Sequence, residues 1–211
     1  MPFYREFSFG DISVSVWNIT ESADELLSLS IGDYAAETAA LRDGQRRTEW
    51  LAVRLLLERV CGVTASIVYN AAGKPSLHGA QGYISISHTR GFAVLAYSPY
   101  VPVGVDVELS GRNAMAAARM FVNDESSISL SGRDVEAKTL VYWCACEAIF
   151  KVVGDAGGSY KRNLFAKPFE FMSPGEIVVS LKGIPNVPQR DYVVKYLCED
   201  TLLIALCVPG I

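Results

Sequence analysis

Two carboxylates stand two residues apart in Val103-Gly104-Val105-Asp106-Val107-Glu108. On a strand, successive side chains alternate between faces. Gly104, Asp106 and Glu108 therefore share one face and the three valines share the other, toward a core. Two carboxylates on one face offer hard oxygen ligands to a divalent cation. Gly104 leaves room for something to approach the backbone. An ordinary half-exposed strand, valines inward and charges outward, explains the same pattern by burial alone. Further along, Trp143, Glu147 and Lys151 recur at i, i+4 and i+8, on one face of a helix. By itself, Glu147 with Lys151 is a surface pair worth roughly a few tenths of a kcal/mol. Joined to Asp106 and Glu108, Glu147 becomes a third metal carboxylate, and Lys151 lies one turn on, placed for a phosphate oxygen. Magnesium keeps few carboxylates and fills its shell with water and substrate phosphates, so the set reads as phosphate-handling.

Two weaker signals lie upstream. Asn70-Ala71-Ala72-Gly73-Lys74-Pro75 is a turn that holds a cation out, or simply a solvated loop lysine. It is not a P-loop, because no G-x-x-x-x-G-K-[ST] pattern is present. Ile84-Ser85-Ile86-Ser87-His88-Thr89-Arg90-Gly91 ends a strand at His88, where a histidine is more often structural or solvated than catalytic. His78 and His88 are the two histidines, which argues against a histidine-based metal site. No G-x-S-x-G elbow supports a serine triad.

The elements that must position these residues are legible from periodicity. Residues 3–9 and 12–17 alternate around Gly10-Asp11, a hairpin pattern. Residues 22–30 and 33–42 predict short helices. Residues 45–60 predict a longer one carrying Trp50, Val53, Leu56, Leu57 and Val60, stopped at Gly62. Strands are expected near 66–69, 83–87, 92–98 and 103–108. Residues 112–153 turn helical, and 134–153 form the strongest helix, with Leu140, Trp143, Cys144, Ala148 and Ile149 toward a core. Residues 155–168 read as a glycine-rich, basic loop. Strands follow at 177–182, 191–198 and 201–208, the last two joined at Glu199-Asp200. Each half thus carries a long helix followed by a hairpin, a weak hint of duplication.

Composition sets the class. The 211 residues are 50% hydrophobic and 20% charged, enough apolar material for a core. No apolar run approaches the roughly 20 residues that span a bilayer, so no membrane association is expected. A net charge of −4 argues against broad nucleic-acid binding. The five cysteines are odd in number and irregularly spaced, so reduced thiols are expected rather than disulfides or zinc. Met1-Pro2-Phe3-Tyr4-Arg5-Glu6 lacks the basic-then-apolar pattern of a secretory signal, and a cytoplasmic protein is the expectation.

The order of the motifs is more specific than any one of them. Gly73-Lys74-Pro75, Ile86-Ser87-His88, Val103 to Glu108, and Trp143, Glu147 and Lys151 at four-residue spacing together resemble the 4′-phosphopantetheinyl transferase superfamily. Trp50 to Leu56, with Arg54, is similar to its arginine-bearing helix, and Ala118-Arg119-Met120-Phe121 with Glu125 to the segment after its metal strand. The resemblance runs from about Arg47 to Lys151, and the chain length looks like the monomeric, surfactin-synthetase-activating type. It implies an α+β fold of two similar halves, each with a long helix packed on antiparallel strands. Residues 1–100 would make the coenzyme A nucleotide contacts and 101–211 would carry the metal and catalytic residues, the boundary being approximate within a single compact unit. Coenzyme A would lie in the cleft between the halves.

The implied activity is magnesium-dependent transfer of 4′-phosphopantetheine from coenzyme A to a serine of an acyl or peptidyl carrier protein, releasing 3′,5′-ADP. Asp106, Glu108 and Glu147 would bind magnesium. Lys151 would contact the pyrophosphate. Lys74 and His88 would grip the nucleotide phosphates, helped by Arg54 and Arg47. Glu147, or a water it holds with the metal, would be the base. One departure stands out: Cys146 occupies the place of a family lysine. If that lysine touches phosphate, its loss costs about 1.5–3 kcal/mol, roughly 10- to 150-fold. Lys161 or Arg162 could take its place. The alternative reading is therefore a non-catalytic relative that binds coenzyme A or a carrier protein.

Overall fold

A computed structural model describes residues 3–42, 44–154 and 158–209. The chain divides into two compact units, Met1–Pro102 and Val103–Ile211.

In the first unit, β1 (Phe3–Phe9) and β2 (Ile12–Asn18) pair antiparallel around Gly10-Asp11. Gly10 takes the positive φ of 61° that such a tight turn demands. Helix α1 (Ala23–Leu29) starts at a capping box, Ser22 and Glu25 satisfying each other's backbone N–H groups. Short α2 (Ala35–Ala40) precedes α3 (Gly44–Cys61), which ends at Gly62 with φ 79°. Next come β3 (Ser66–Tyr69), β4 (Pro75–His78), β5 (Tyr83–Thr89) and β6 (Phe92–Ser98). The main sheet runs β1-β2-β6-β5, and β3 pairs β4 in a separate ribbon. Leu51, Ala52, Leu55 and Leu56 of α3 pack against Trp17, Ile84, Ala93 and Leu95 of that sheet. Strand β4 was not expected. Four residues opening on a proline give too little alternation to show, and its partner β3 alone makes it a strand.

The second unit opens with β7 (Gly104–Leu109) and a 3-10 turn at Ala114–Ala117. Helices α4 (Ala118–Phe121), α5 (Asp124–Leu130) and α6 (Val135–Val153) follow. The expected helical stretch is thus interrupted: Asn123 caps α5 through Ser126 N–H, and Gly132, at φ 87°, separates α5 from α6. Beyond lie α7 (Tyr160–Asn163), β8 (Leu164–Ala166), β9 (Gly175–Leu181), β10 (Arg190–Glu199) and β11 (Leu202–Cys207). All pairings are antiparallel, in the order β7-β11-β10-β9-β8.

Part of the expected 155–168 loop, residues 155–157, lies outside the described residues; the rest is α7 and β8 rather than loop. Strand β8 exists because it pairs with β9, Leu164 opposite Leu181, a partner 17 positions away that local composition cannot announce. Helix α6 lies across the sheet, packing on β7, β9, β10 and β11. Alternate residues face it: Ile177, Val179, Leu181, Val194, Tyr196, Leu203, Ala205 and Cys207 join its core. Full burial of Leu140, Val141 and Ile149 of α6 contributes about 1.5–3 kcal/mol each before entropy is counted. Among the described residues no helix is long and apolar enough to cross a membrane.

Candidate active site

Strand β7 is buried on both faces, so the half-exposed strand of the bland reading is not what forms. Val105 and Val107 are buried as expected, but Asp106 and Glu108 are only 6% and 7% exposed. The reason is Gly104. A Cβ on it would lie 2.0 Å from the Ala148 carbonyl oxygen, so α6 rests directly on the β7 backbone there. Only glycine admits that approach, and it lowers the next turn of α6 over the carboxylate face.

Lys151 then reaches β7 instead of pairing with Glu147 on the surface. Its Nζ donates to Asp106 Oδ1 at 2.9 Å and to the Val105 carbonyl oxygen at 2.8 Å. The Cys144 thiol, fully buried one turn before Ala148, bonds to Asp106; burial and the Asp106 and Glu108 carboxylates push it well above the usual thiol range. Arg112, in the turn after β7, donates to Glu108 and forms an ion pair with it. Glu147 accepts a 2.7 Å hydrogen bond from the Tyr160 hydroxyl. Burial raises the Glu147 carboxyl above its ordinary value; the Asp106 and Glu108 charges add to the rise, while Tyr160 and Lys151 oppose it. Burial and Glu147 in turn push the Tyr160 hydroxyl up, so it remains a donor.

Asp106, Glu108, Glu147 and Lys151, widely separated in sequence, are thus brought to one place on β7 and α6. Three further groups there were missed. Cys144 and Arg112 carried no distinguishing spacing. Tyr160 lay in a segment read as loop.

No group of three His, Cys, Asp or Glu side chains among the described residues is already drawn together to hold a metal ion. Arg112 and Lys151 neutralise two of the three carboxylates instead. The donor chemistry still fits a hard divalent cation: all three are carboxylates, and their mutual repulsion is visible in Glu147.

Cys146 does not face this cluster. It is fully buried near Tyr142, and burial drives its thiol well up, as for an inert core cysteine. Of the two basic candidates for the lysine's place, Lys161 donates to the Arg119 carbonyl oxygen at 3.0 Å, and Arg162 is exposed.

The cationic candidates of the first unit have local partners. Arg54 is 6% exposed, its guanidinium 3.6 Å from the Trp50 ring centroid and 3.4 Å from the Tyr69 hydroxyl. Arg47 donates to the Leu41 carbonyl oxygen, tying the start of α3 to the end of α2. Lys74 is half-buried, which lowers its ammonium below the usual lysine range. Asn70 Oδ1 accepts from its backbone N–H at 2.8 Å and so closes the turn. His88 is mostly exposed, with Nδ1 3.6 Å from Glu49 Oε2.

The raised Glu147 value has a measurable consequence. Its charge is dearer in the folded state, so it lowers stability above the folded value. That loss is relieved as pH falls through the folded value toward the unfolded one. Glu147→Gln, whose amide oxygen can still accept from Tyr160, should raise the melting temperature of the metal-free protein at about pH 8, with the gain shrinking toward about pH 5. Calorimetry at the two pH values checks this; an unchanged or lower midpoint at the higher pH refutes it.

No family model matches the chain. The 4′-phosphopantetheinyl transferase AcpT of Salmonella typhimurium (strain LT2) is 37% identical over 170 residues, covering 79% of this chain and 79% of that relative. With identity of that extent, and with the carboxylates and lysine of the family pattern side by side on β7 and α6, the chain belongs to the 4′-phosphopantetheinyl transferases.

Proposed function

We propose that this transferase takes 4′-phosphopantetheine from coenzyme A and places it on a serine of an acyl or peptidyl carrier protein, with 3′,5′-ADP as the second product. The observation that carries the reading is α6 seated on Gly104, with Glu147 and Lys151 beside Asp106 and Glu108. The serine oxygen attacks the pantetheine-bearing phosphorus, the bond from that phosphorus to the 3′,5′-ADP oxygen breaks, and the serine proton leaves. Glu147 takes that proton, directly or through a water; burial raises its carboxyl above the ordinary value, which makes it a stronger base than a solvated carboxylate. Lys151 supplies positive charge to the pyrophosphate as the leaving oxygen becomes anionic. Asp106, Glu108 and Glu147 would hold magnesium, which when bound would offset the negative charge developing on the leaving group. Lys74, His88, Arg54 and Arg47 would serve the nucleotide phosphates.

We further infer the surfactin-synthetase-activating type, a cytoplasmic monomer of two similar halves. Supporting it, each unit has a long helix, α3 or α6, packed on an antiparallel sheet.

Intact-mass spectrometry of apo acyl and peptidyl carrier proteins, incubated with this protein, coenzyme A and magnesium, tests the proposal. A gain of one phosphopantetheine, abolished by chelator, is expected. No gain on either carrier class overturns it, and a gain that survives chelator overturns the metal assignment.

A further inference from the structure

A glutamate in the middle of a helix has three side-chain torsions and cannot hold a carboxylate plane unaided. Glu147 is held. The Tyr160 hydroxyl lies 2.7 Å from Oε1, and the tyrosine ring is set edge-on between two rings of α6. Trp143 is 5.6 Å away and Phe150 4.8 Å away, centroid to centroid. These two stand four residues before and three after Glu147, above and below it on one helix face. Phe121 of α4 backs Trp143 at 4.9 Å. The ring therefore travels with α6, and the hydroxyl is delivered at the level of residue 147.

The short helix carrying Tyr160 is anchored independently of the ring. Asn163 Oδ1 accepts from Ser159 N–H at 2.8 Å, and Asn163 Nδ2 donates to the Lys182 carbonyl oxygen at 2.8 Å. Asn123 Nδ2 donates to the Lys161 and Leu164 carbonyl oxygens at 3.1 and 2.7 Å. A hydroxyl on a twice-anchored support is a preorganised partner, not an incidental surface contact.

We propose that Tyr160 is the positioning residue of Glu147: it fixes one carboxylate oxygen and hence the plane in which the other meets the chemistry. This rests on the reading above, in which Glu147 acts at the reacting phosphorus. Tyr160 acts through Glu147 and touches no substrate itself. The orientation of Glu147 then depends on a tyrosine beyond the helix rather than on residue 146, which points into the core.

Tyr160→Phe keeps the ring contacts and removes only the donor. Steady-state transfer from coenzyme A to an apo acyl carrier protein should show kcat lowered about tenfold, with KM for both substrates within about twofold and the melting temperature nearly unchanged. Repeating the change in Glu147→Asp, whose carboxylate is drawn back by one methylene, should cost less than about twofold more. An unchanged kcat for Tyr160→Phe, or the same tenfold loss in both backgrounds, overturns the positioning role. Glu147→Gln separates the two ideas. If it is inactive while Tyr160→Phe is normal, the site reading stands and the tyrosine role fails. If Glu147→Gln turns over normally, the site reading itself falls, and the tyrosine role with it.

Discussion

Lys151→Met lowers carrier modification by about a hundredfold or more and at the same time destabilises the ligand-free protein. On the proposed mechanism the catalytic loss follows from removing the cation set against the leaving oxygen; a single preorganised charge or donor of this kind is worth about 10²–10³ in kcat. The stability loss has a separate origin. Asp106 has an 8% exposed side chain, and Lys151 supplies its ammonium at 2.9 Å. Methionine keeps most of the stem but leaves that carboxylate without its cation. Breaking a sealed pair costs about 3–5 kcal/mol. Lys151 keeps 28% side-chain exposure, so screening brings the expectation to about 2 kcal/mol, or about 4–8 °C in midpoint for a chain of this size. Thermal unfolding without coenzyme A and single-turnover mass spectrometry read the two effects separately. Lys151→Arg is expected to recover part of the stability but little of the rate, because a planar fork does not replace a point charge reaching both Asp106 and Val105. A midpoint unmoved by Lys151→Met would show that the lysine does not sit on Asp106.

Local rules made much of this legible. The alternation in β7 placed Gly104, Asp106 and Glu108 on one face, and helical spacing placed Trp143, Glu147 and Lys151 on another. The hairpin at Gly10-Asp11 and the helix stop at Gly62 follow from backbone preferences of single residues. What stayed hidden was long-range. Nothing within five residues of Asp106 indicates that Ala148 will close over Gly104 and bury two carboxylates, or that Lys151 will answer one of them from 45 positions away. Tyr160 was invisible for the same reason: its role comes from Glu147, 13 positions back, and from rings two turns apart on α6. Strands β4 and β8 are made by their partners, not by their own four and three residues. The motif order carried the family because it records which distant residues meet, information that periodicity lacks.

Cys146→Lys is the sharpest test of how α6 is rotated. In the motif, residue 146 stands where a family lysine belongs, and restoring that lysine looks like a route to higher activity. The structure gives the opposite expectation. Residue 146 is fully buried, one turn after Tyr142, whose hydroxyl is already engaged with the Leu164 carbonyl oxygen at 2.7 Å and with Ser126 at 3.2 Å. A lysine there has to carry a charge into apolar surroundings or give up its proton, and its longer stem overfills a core in which Cys144, Ala145, Ala148 and Ile149 are also sealed. Overpacking alone costs about 1–3 kcal/mol, and the unpaired charge adds several more. Urea unfolding should therefore show a loss of several kcal/mol, with no gain in transfer rate. A variant that folds normally and turns over faster would mean that position 146 faces Asp106 and Glu147 and that a missing cation limits the enzyme. The expected outcome instead assigns Cys146 to packing. It then removes the reason for suspecting a coenzyme A-binding relative without catalysis, because the carboxylates and Lys151 keep their own face of α6 whatever fills the core behind it.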